Sequence, residues 1–293
     1  MNKILVPTDF SPCAVNASHY ALQLATRLRV GVHICHAILI PVQTLAVNPD
    51  AWATSDYSHL ETATMDALSV TAGEMEKEMA HELAANAGNF TPHVDYSCHM
   101  GLVADVVERV VDEKRLSLVV MGMSGAGELS RLFMGSSTRS VIDHAKFPVL
   151  LVPRKVKFKP LKKIAFTTDM LAGDIDVLNS VAEIARYFNA EILIAHITSP
   201  DEDARMDDKQ ITQFLSEVTD KINYPKIYYR NVKSADVDEG LDWLCKHGQI
   251  DMIATVHRHQ NFLERIFSGS YTQRLAKHVE IPLLVYPAIA AGK

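Results

Sequence analysis

The chain has 293 residues, of which 48% are hydrophobic and 22% charged, so it has enough apolar residues for two folded cores and is not disordered. Its net charge of −6 argues against a general nucleic-acid-binding protein, because binding to the phosphate backbone needs clustered lysine and arginine. No apolar run reaches the roughly 18 residues that span a bilayer, and no signal-peptide pattern precedes the first strand. Four cysteines without paired spacing are typical of reduced thiols, so we expect a cytoplasmic protein.

Short sequence patterns occur twice along the chain. The recurring pairs are Ile4–Asp9 with Ile164–Asp169, Val32–His36 with Ile192–His196, and Phe147–Pro153 with Ile281–Pro287. A repeat of roughly 130 to 160 residues has the size of a domain, which favours two similar domains in tandem over a solenoid. We therefore predict a first domain at 1–153, a linker at 154–161 and a second domain at 162–287.

Short apolar runs alternate with amphipathic stretches in the first copy. The predicted strands are Lys3–Pro7, Val32–Ala37, Thr91–Tyr96, Leu118–Gly122 and Val149–Val152. The predicted helices are Ala14–Arg29, Ala104–Glu113 and Ser137–Ala145. Ser11 followed by Pro12 is a typical start signal for the first of these helices.

The second copy repeats this alternation. Its predicted strands are Lys163–Thr167, Ile192–Ile197, Lys226–Arg230, Met252–Val256 and Leu283–Tyr286. Its predicted helices are Ile175–Phe188, Lys209–Ile222, Val237–His247 and Ser270–His278. Apolar strands separated by helices indicate an α/β fold, so we expect each domain to be a five-stranded parallel open sheet with helices on both faces, as in Rossmann-like folds.

The first copy is the longer one. Asp9 aligns with Asp169 but Gly135 aligns with Gly269, so about 26 additional residues lie within Ile38–Asn89. The pattern predicts an irregular start at Pro41–Ser58, then a long helix over Leu60–Ala85. We expect this insertion to be a flap beside the site or a packing element between the domains.

A glycine motif follows the fourth predicted strand of the first copy. It consists of Gly122-Met123-Ser124-Gly125, nine residues, and then Gly135-Ser136-Ser137. Glycines let backbone amides approach phosphate oxygens closely, and a helix N-terminus favours an anion. Ligands of open parallel sheets bind outside the carboxyl ends of the strands, where this motif lies. The motif therefore predicts a nucleotide pocket.

In this order, the residues resemble the universal stress protein family. Its ATP-binding members carry Gly-x-x-Gly, nine residues, Gly then Ser or Thr, a helix and a final apolar strand. The first copy matches each element, including Val6–Ser11 at the start and His36-Ala37 after strand two, and the resemblance covers nearly the whole chain as a tandem member. It implies an adenine nucleotide alpha-hydrolase-like fold that binds ATP, with Mg²⁺ as a companion ion.

The resemblance also implies positions for the nucleotide. The residues around the adenosine would be Pro7, Thr8, Asp9 and Ala37, and those beside the sugar would be Met121 and Gly122. The residues at the phosphates would be Ser124, Gly125, Gly135, Ser136 and Ser137.

Several of these positions have a structural alternative. Asp9 could bond a ribose hydroxyl or hold a metal on the phosphates, or its carboxylate could cap the helix that follows. Gly125 and Gly135 could be required only by the backbone conformation of a turn. His36 and His196 end strand two in both copies, so we interpret them as structural contacts to a neighbouring loop.

The second copy differs in the same motif. Val256 and His259 replace the first two glycines, and Tyr271 enlarges the following helix start. We therefore expect the second copy not to bind ATP in the way of the family. A zinc site formed by His257 and His259, with His278 or Asp169, is an alternative for this region.

The sequence favours binding over catalysis. It contains no recognisable motif of nucleophile, base and orienting partner, and the glycine loop has no lysine for the phosphates. We interpret the chain as a nucleotide-dependent stress-response sensor or regulator. A slow ATP hydrolase and an interaction scaffold without nucleotide remain the alternatives.

Partners other than the nucleotide are expected to be copies of the same fold. Val149–Val152 and Leu283–Tyr286 could pair within the chain and so join the two domains. A homodimer would fit the prevalence of closed two-fold assemblies. We expect neither a nucleic-acid nor a membrane partner.

Overall fold

The computed structural model describes residues 3–39, 54–84, 90–123, 135–198, 208–234, 237–258 and 281–288. These residues form two compact units. The first lies within Met1–Gly122 and Ser136–Val149, and the second lies within Met123–Gly135 and Leu150–Lys293.

The first repeat contains five strands and four helices among the described residues. In chain order they are β1 (Lys3–Pro7), α1 (Pro12–Leu28), β2 (Gly31–Ile38), α2 (Thr54–Ala84), β3 (Val94–Met100), α3 (Val103–Lys114), β4 (Leu118–Met123), α4 (Ser136–His144) and β5 (Val149–Pro153). The strand order is β3-β2-β1-β4-β5, and β1 pairs in parallel with both β2 and β4. Helix α1 packs on β1 and β2 and against α2, whereas α3 packs against α4.

The described part of the second repeat has the same strand order. Its elements are β6 (Lys163–Thr167), α5 (Asp174–Phe188), β7 (Glu191–Thr198), α6 (Asp208–Lys221), β8 (Ile227–Lys233), α7 (Val237–His247), β9 (Met252–His257) and β10 (Leu283–Pro287). The order is β8-β7-β6-β9-β10, with parallel pairing throughout. The predicted α/β fold class with parallel strands is thus confirmed. The predicted helix at Ser270–His278 lies outside the described residues.

The third strand was predicted too early. Thr91–Tyr96 was expected, but β3 begins at Val94, and each of its residues pairs with a residue of β2 between Val32 and Ile38. Pro92 has no N–H group and so cannot contribute a donor to a strand ladder, which explains the later start.

Local sequence signals account for the first strand and helix. Ile4, Leu5 and Val6 are fully buried in β1, as expected for a strand covered on both faces. Helix α1 begins at Pro12, and the Oγ of its N-cap Ser11 accepts a hydrogen bond from the N–H of Ala14 at 3.3 Å. The start signal read from the sequence is confirmed, although the helix begins two residues before the predicted Ala14.

The insertion of the first repeat contains a crossover helix. Helix α2 has 31 residues, whereas α6 at the same place in the second repeat has 14. Leu68, Met75 and Met79 of α2 are buried, and the helix packs on β2, β3 and α1. The described part of the insertion therefore belongs to the core of the first unit, a role that differs from the expected flap or interdomain element.

The thiols agree with the sequence interpretation. All four cysteines lie in described ranges and are free thiols. Burial raises the pKa of the Cys35 thiol to about 12 and that of Cys245 to about 11, so both remain protonated and unreactive at neutral pH. Within the described ranges, no helix offers an apolar stretch of the length that a bilayer crossing requires.

The start of β6 is held by one carboxylate from the residue that precedes β9. Asp251 Oδ2 accepts hydrogen bonds from the backbone N–H groups of Lys162 and Lys163 at 2.8 and 3.0 Å. Its Oδ1 lies 2.8 Å from Lys159 Nζ, and the side chain is only 10% exposed. Burial alone would raise the pKa of Asp251, but the hydrogen bonds from Lys159 and the two amides outweigh it and lower the pKa.

We predict that Asp251→Ala lowers the free energy of unfolding by about 2 kcal/mol at pH 7, because two backbone donors lose their acceptor. Since the folded pKa lies below the unfolded value of about 4, this stabilisation is complete above that value and is lost as the pH falls through the folded pKa. Denaturant titrations at pH 7 and at acidic pH measure both effects. Glu108→Gln, which breaks the exposed pair with Lys146, is the control and should change little. An unchanged acid dependence in Asp251→Ala would contradict the assignment.

Candidate functional site

The predicted site lies where the strand order of the first repeat reverses. From β1 the chain adds β2 and then β3 on one side of the sheet. It then returns to the other side of β1 and adds β4 and β5. Because β1, β2 and β4 are parallel, their carboxyl ends open on the same edge of the sheet. This edge is where open α/β sheets bind their ligands.

The loop after β1 is fixed by hydrogen bonds on both sides. The N–H of Thr8 donates to the carbonyl of Cys35 at 2.8 Å, and its carbonyl accepts from Nδ1 of His36 at 2.8 Å. The hydroxyl of Thr8 accepts from the N–H of Phe10 at 3.0 Å, which supports the left-handed backbone of Phe10 at φ 60°. The interpretation of His36 as a structural contact to a neighbouring loop is confirmed.

Asp9 lies at the exposed tip of this loop. Its Oδ1 accepts a hydrogen bond from the N–H of Ser11 at 3.0 Å, and Ser11 itself caps the helix. The capping role considered for Asp9 is therefore wrong, because the N-cap is Ser11, two residues closer to the helix. An exposed carboxylate at the carboxyl end of β1 remains available to a ligand.

Gly122 is required by packing at the end of β4. A Cβ atom at this position would lie 2.6 Å from the carbonyl oxygen of Cys13, a distance that no side chain tolerates. The close approach brings the end of β4 against the first turn of α1. Met121 beside it is buried in the core, with 5% of its surface exposed. Packing against α1 therefore requires a glycine at position 122, which the motif alone did not indicate.

Helix α4 begins next to the same strand end. The hydroxyl of Thr138 donates to the carbonyl of Gly122 at 3.4 Å, which places the first turn of α4 beside β4. Ser136 and Ser137 in this turn are exposed, and Gly135 just before it is half-buried. The first turn of a helix has N–H groups without intrahelical partners, and these favour an anion.

The structure thus brings most of the candidate residues to one edge. Pro7 and Thr8 are buried at the end of β1, and Ala37 is half-buried at the end of β2. Ser124 and Gly125, assigned to the phosphates, lie outside the described residues.

The second repeat copies the first loop but not the cleft. The carbonyl of Thr168 accepts from Nδ1 of His196 at 2.8 Å, and its hydroxyl accepts from the N–H of Met170 at 2.8 Å. Helix α5 then begins with Asp174, whose side chain is fully buried. Its carboxylate accepts hydrogen bonds from the hydroxyl of Thr168 and from the N–H of Leu171.

An arginine from the end of β9 fills this cleft. The guanidinium of Arg258 bonds Asp174 through Nη2 and lies 3.4 Å from Asp169 Oδ2 through Nη1. Its side chain is only 27% exposed. The aligned residues of the first repeat are Ala14 for Asp174 and Ser124 for Arg258, so this pair belongs to the second repeat alone.

The sequence interpretation missed this ion pair. The signal was an acid in the first turn of a helix and an arginine just past a strand, in a copy whose counterpart has neither. Of the four residues named for the zinc alternative, Asp169 faces Arg258. His259 and His278 lie outside the described residues.

Comparison with known proteins identifies relatives over both repeats. The model of the universal stress protein family matches residues 1–153 and again residues 160–287. A universal stress protein of Methanocaldococcus jannaschii is 24% identical over 155 residues, which are 53% of this chain and 84% of that protein. One from Mycobacterium tuberculosis is 24% identical over 159 residues, 52% of this chain and 48% of that protein.

Solved structures share the fold over nearly the full length. The crystal structure of a universal stress protein from Archaeoglobus fulgidus superposes with a TM-score of 0.65 at 17% identity and covers 98% of this chain and 99% of its own. A putative universal stress protein from Pseudomonas aeruginosa gives a TM-score of 0.56 at 13% identity, with 98% of this chain and 93% of that chain covered. With the family model matching both repeats, the chain belongs to the universal stress protein family as a tandem, two-domain member.

Proposed function

We propose that this protein binds one ATP per chain, in the first repeat, and acts as a nucleotide-dependent sensor or regulator in the stress response. The observation that carries the proposal is the difference between the two clefts. The second repeat fills its cleft with the Arg258–Asp174 pair. The first repeat has Ser124 and Ala14 at those positions, which can form no such pair.

The loop after β1 would bind the nucleoside. Its backbone is held in place by Cys35 and His36, so little conformational entropy is lost when a ligand binds. The exposed carboxylate of Asp9 can accept hydrogen bonds from the ribose hydroxyls or hold Mg²⁺ beside the phosphates. Both roles need a charged oxygen at the carboxyl end of β1, where the loop places it.

The start of α4 would bind the phosphates. Its unpaired N–H groups and the positive end of the helix dipole favour an anion, and the hydroxyls of Ser136 and Ser137 add donors. The glycine loop with Ser124 and Gly125 would complete this cradle. Its assignment comes from the family resemblance, and Mg²⁺ would add the positive charge that the loop itself lacks.

Turnover is not the function that this site favours. Efficient phosphoryl transfer needs a group that positions the attacking water and a cation that stabilises the transition state. Of the described residues around the cleft, His36 is bonded to the loop through Nδ1, and Asp9 is the acidic side chain at the tip. Hydrolysis would therefore be slow, and the bound nucleotide would act as a signal. We also propose a cytoplasmic location, in keeping with the free thiols.

The first prediction for this function concerns stoichiometry. Calorimetric titration should give one ATP site per chain, and Gly135→Val should abolish it, because a side chain enters the phosphate cradle. The aligned change Gly269→Val in the second repeat is the matched control and should leave ATP binding unchanged. Two equivalent sites, no site, or equal losses in the two variants would contradict the proposal.

The second prediction concerns the filled cleft. Arg258→Ser should destabilise the second unit by about 3 kcal/mol, because it leaves the buried Asp174 carboxylate without its partner. The double variant Asp174→Ala with Arg258→Ser, which introduces the residues of the first repeat, should recover part of this loss, because the unpaired charge is gone but Thr168 and Leu171 lose their acceptor. Thermal and denaturant unfolding of the single and double variants measure the coupling.

The same double variant tests what closes the second cleft. If the ion pair excludes the nucleotide, the double variant should bind a second ATP, more weakly than the first because Val256 and Tyr271 also differ from the first repeat. A double variant that is stable but still binds one ATP would show that the ion pair does not close this cleft.

A further inference from the structure

A chain of polar side chains crosses from β2 to β3 in the first repeat. Nε2 of His33 lies 2.9 Å from Oγ of Ser97, and Nδ1 of His33 lies 3.1 Å from Oδ1 of Asp95. Nε2 of His99 also lies 2.9 Å from Oγ of Ser97. A serine, a histidine and an aspartate thus lie next to one another in the order of a nucleophile, its base and a nearby acid.

The protons of this chain can be assigned from its contacts. The acid at Nδ1 of His33 selects the tautomer with a proton on Nδ1, so Nε2 can accept the hydroxyl proton of Ser97. Ser97 then accepts a hydrogen bond from Nε2–H of His99. The Nδ1–H of His33 points off the line to Oδ1 of Asp95, so this contact is mainly electrostatic. Lys3 Nζ lies 3.0 Å from the second oxygen of Asp95 and supports its charge.

The protonation states suit such a base. Burial lowers the pKa of His33, although Asp95 acts in the opposite direction, and the ring is neutral at pH 7. Burial of Asp95 opposes its charge, but the hydrogen bond from Lys3 and the contact with His33 lower its pKa overall. Burial, followed by Arg109, lowers the pKa of His99. A neutral imidazole can take a proton from the serine when it reacts.

The fold does not require these hydrogen-bonded polar side chains. In the second repeat the same strands place Leu193 where the first has His33, Tyr228 where it has Asp95, and Arg230 where it has Ser97. A buried histidine costs more to desolvate than a leucine, and the second unit forms the same sheet without it. The polar chain is therefore a property of the first repeat beyond its fold.

The serine can be reached from solvent. The side chain of His33 is fully buried, but that of Asp95 is 30% exposed, and Ser97 and His99 are half-buried. Helix α3 packs on β1 and β2. On the side of α3 this strip is bordered by Arg109, whose Nη2 donates to the carbonyl of Met100 at 3.4 Å.

We propose that Ser97 is an activated nucleophile that accepts acyl groups from small, activated carboxylic esters. His33 Nε2 takes the hydroxyl proton as Oγ attacks the ester carbonyl carbon, and the carbonyl electron pair moves to the oxygen. When the intermediate collapses, the C–O bond to the leaving group breaks and the departing oxygen takes the proton from His33. The products are acyl-Ser97 and an alcohol, and water then releases a carboxylic acid by the same route and regenerates Ser97.

His99 would hold the Ser97 hydroxyl in place. Nε2–H of His99 faces Oγ of Ser97 at 2.9 Å, so it fixes the direction of the hydroxyl and leaves its proton for Nε2 of His33. Arg109 and Lys114 lower the pKa of His99, whereas Glu113 and Glu61 act in the opposite direction, so this strip carries charges of both signs. Asp95 acts as a positioning residue that keeps the His33 tautomer.

The test is covalent labelling of the full chain with a fluorophosphonate probe, in which Oγ displaces fluoride. Mass spectrometry of the peptides should locate the label on Ser97, and Ser97→Ala should remove it. Ser180→Ala, which changes an exposed serine on α5, is the control and should label normally. His33→Leu introduces the residue of the second repeat and should lower the labelling rate at least tenfold while ATP binding and the melting temperature are retained.

Several outcomes would overturn the proposal. These are absence of labelling, labelling of another serine, or an unchanged labelling rate in His33→Leu. If His33→Leu does not fold, Asp95→Asn replaces it: this change keeps the shape of the side chain but removes the charge that holds the His33 tautomer, so the labelling rate should fall. A folded Asp95→Asn variant that labels at the wild-type rate would equally reject the proposal.

Discussion

In both repeats a histidine at the end of the second strand donates from Nδ1 to the carbonyl of the loop that follows the first strand. The two contacts, His36 with Thr8 and His196 with Thr168, have the same length of 2.8 Å. Each tie fixes the loop from the side, while the N–H of the same threonine bonds the neighbouring strand. The position of the first helix, and with it the edge of the cleft, depends on this contact, because the helix starts directly from the loop.

The two repeats share this backbone but differ in the charged residues at the cleft. The second repeat introduces Asp174 in the first turn of α5 and Arg258 after β9, and the two are satisfied by each other. A buried carboxylate alone would be costly, so the acid and the arginine are useful only together. The first repeat has small residues at both positions and a carboxylate, Asp9, that faces solvent. The cleft of the second repeat is therefore internally neutralised, whereas the loop of the first repeat keeps an exposed carboxylate without such a pair.

The polar side chains on β2 and β3 are another set of contacts that occurs in one repeat only. His33 and Ser97 are 64 residues apart, and parallel pairing of their strands brings their side chains within hydrogen-bonding distance. The second repeat has apolar and aromatic residues at two of these positions and an arginine at the third. Duplication of one fold thus leaves each copy with its own set of buried polar contacts, supported by the same backbone.

The sequence by itself determined the repeat, the parallel α/β class, most strand positions and the start of α1 at Ser11-Pro12. These features depend on local patterns: apolar runs, helical spacing and a capping residue act over a few neighbouring positions. The sequence also predicted that the motif residues lie at one edge of the sheet, because they follow parallel strands whose carboxyl ends share that edge. The tertiary structure decided what lies across space. Arg258 and Asp174 are 84 residues apart, Gly122 is required by a carbonyl of α1, and α2 packs into the first core. Such contacts form between elements that meet only after folding, so no local pattern in the sequence records them.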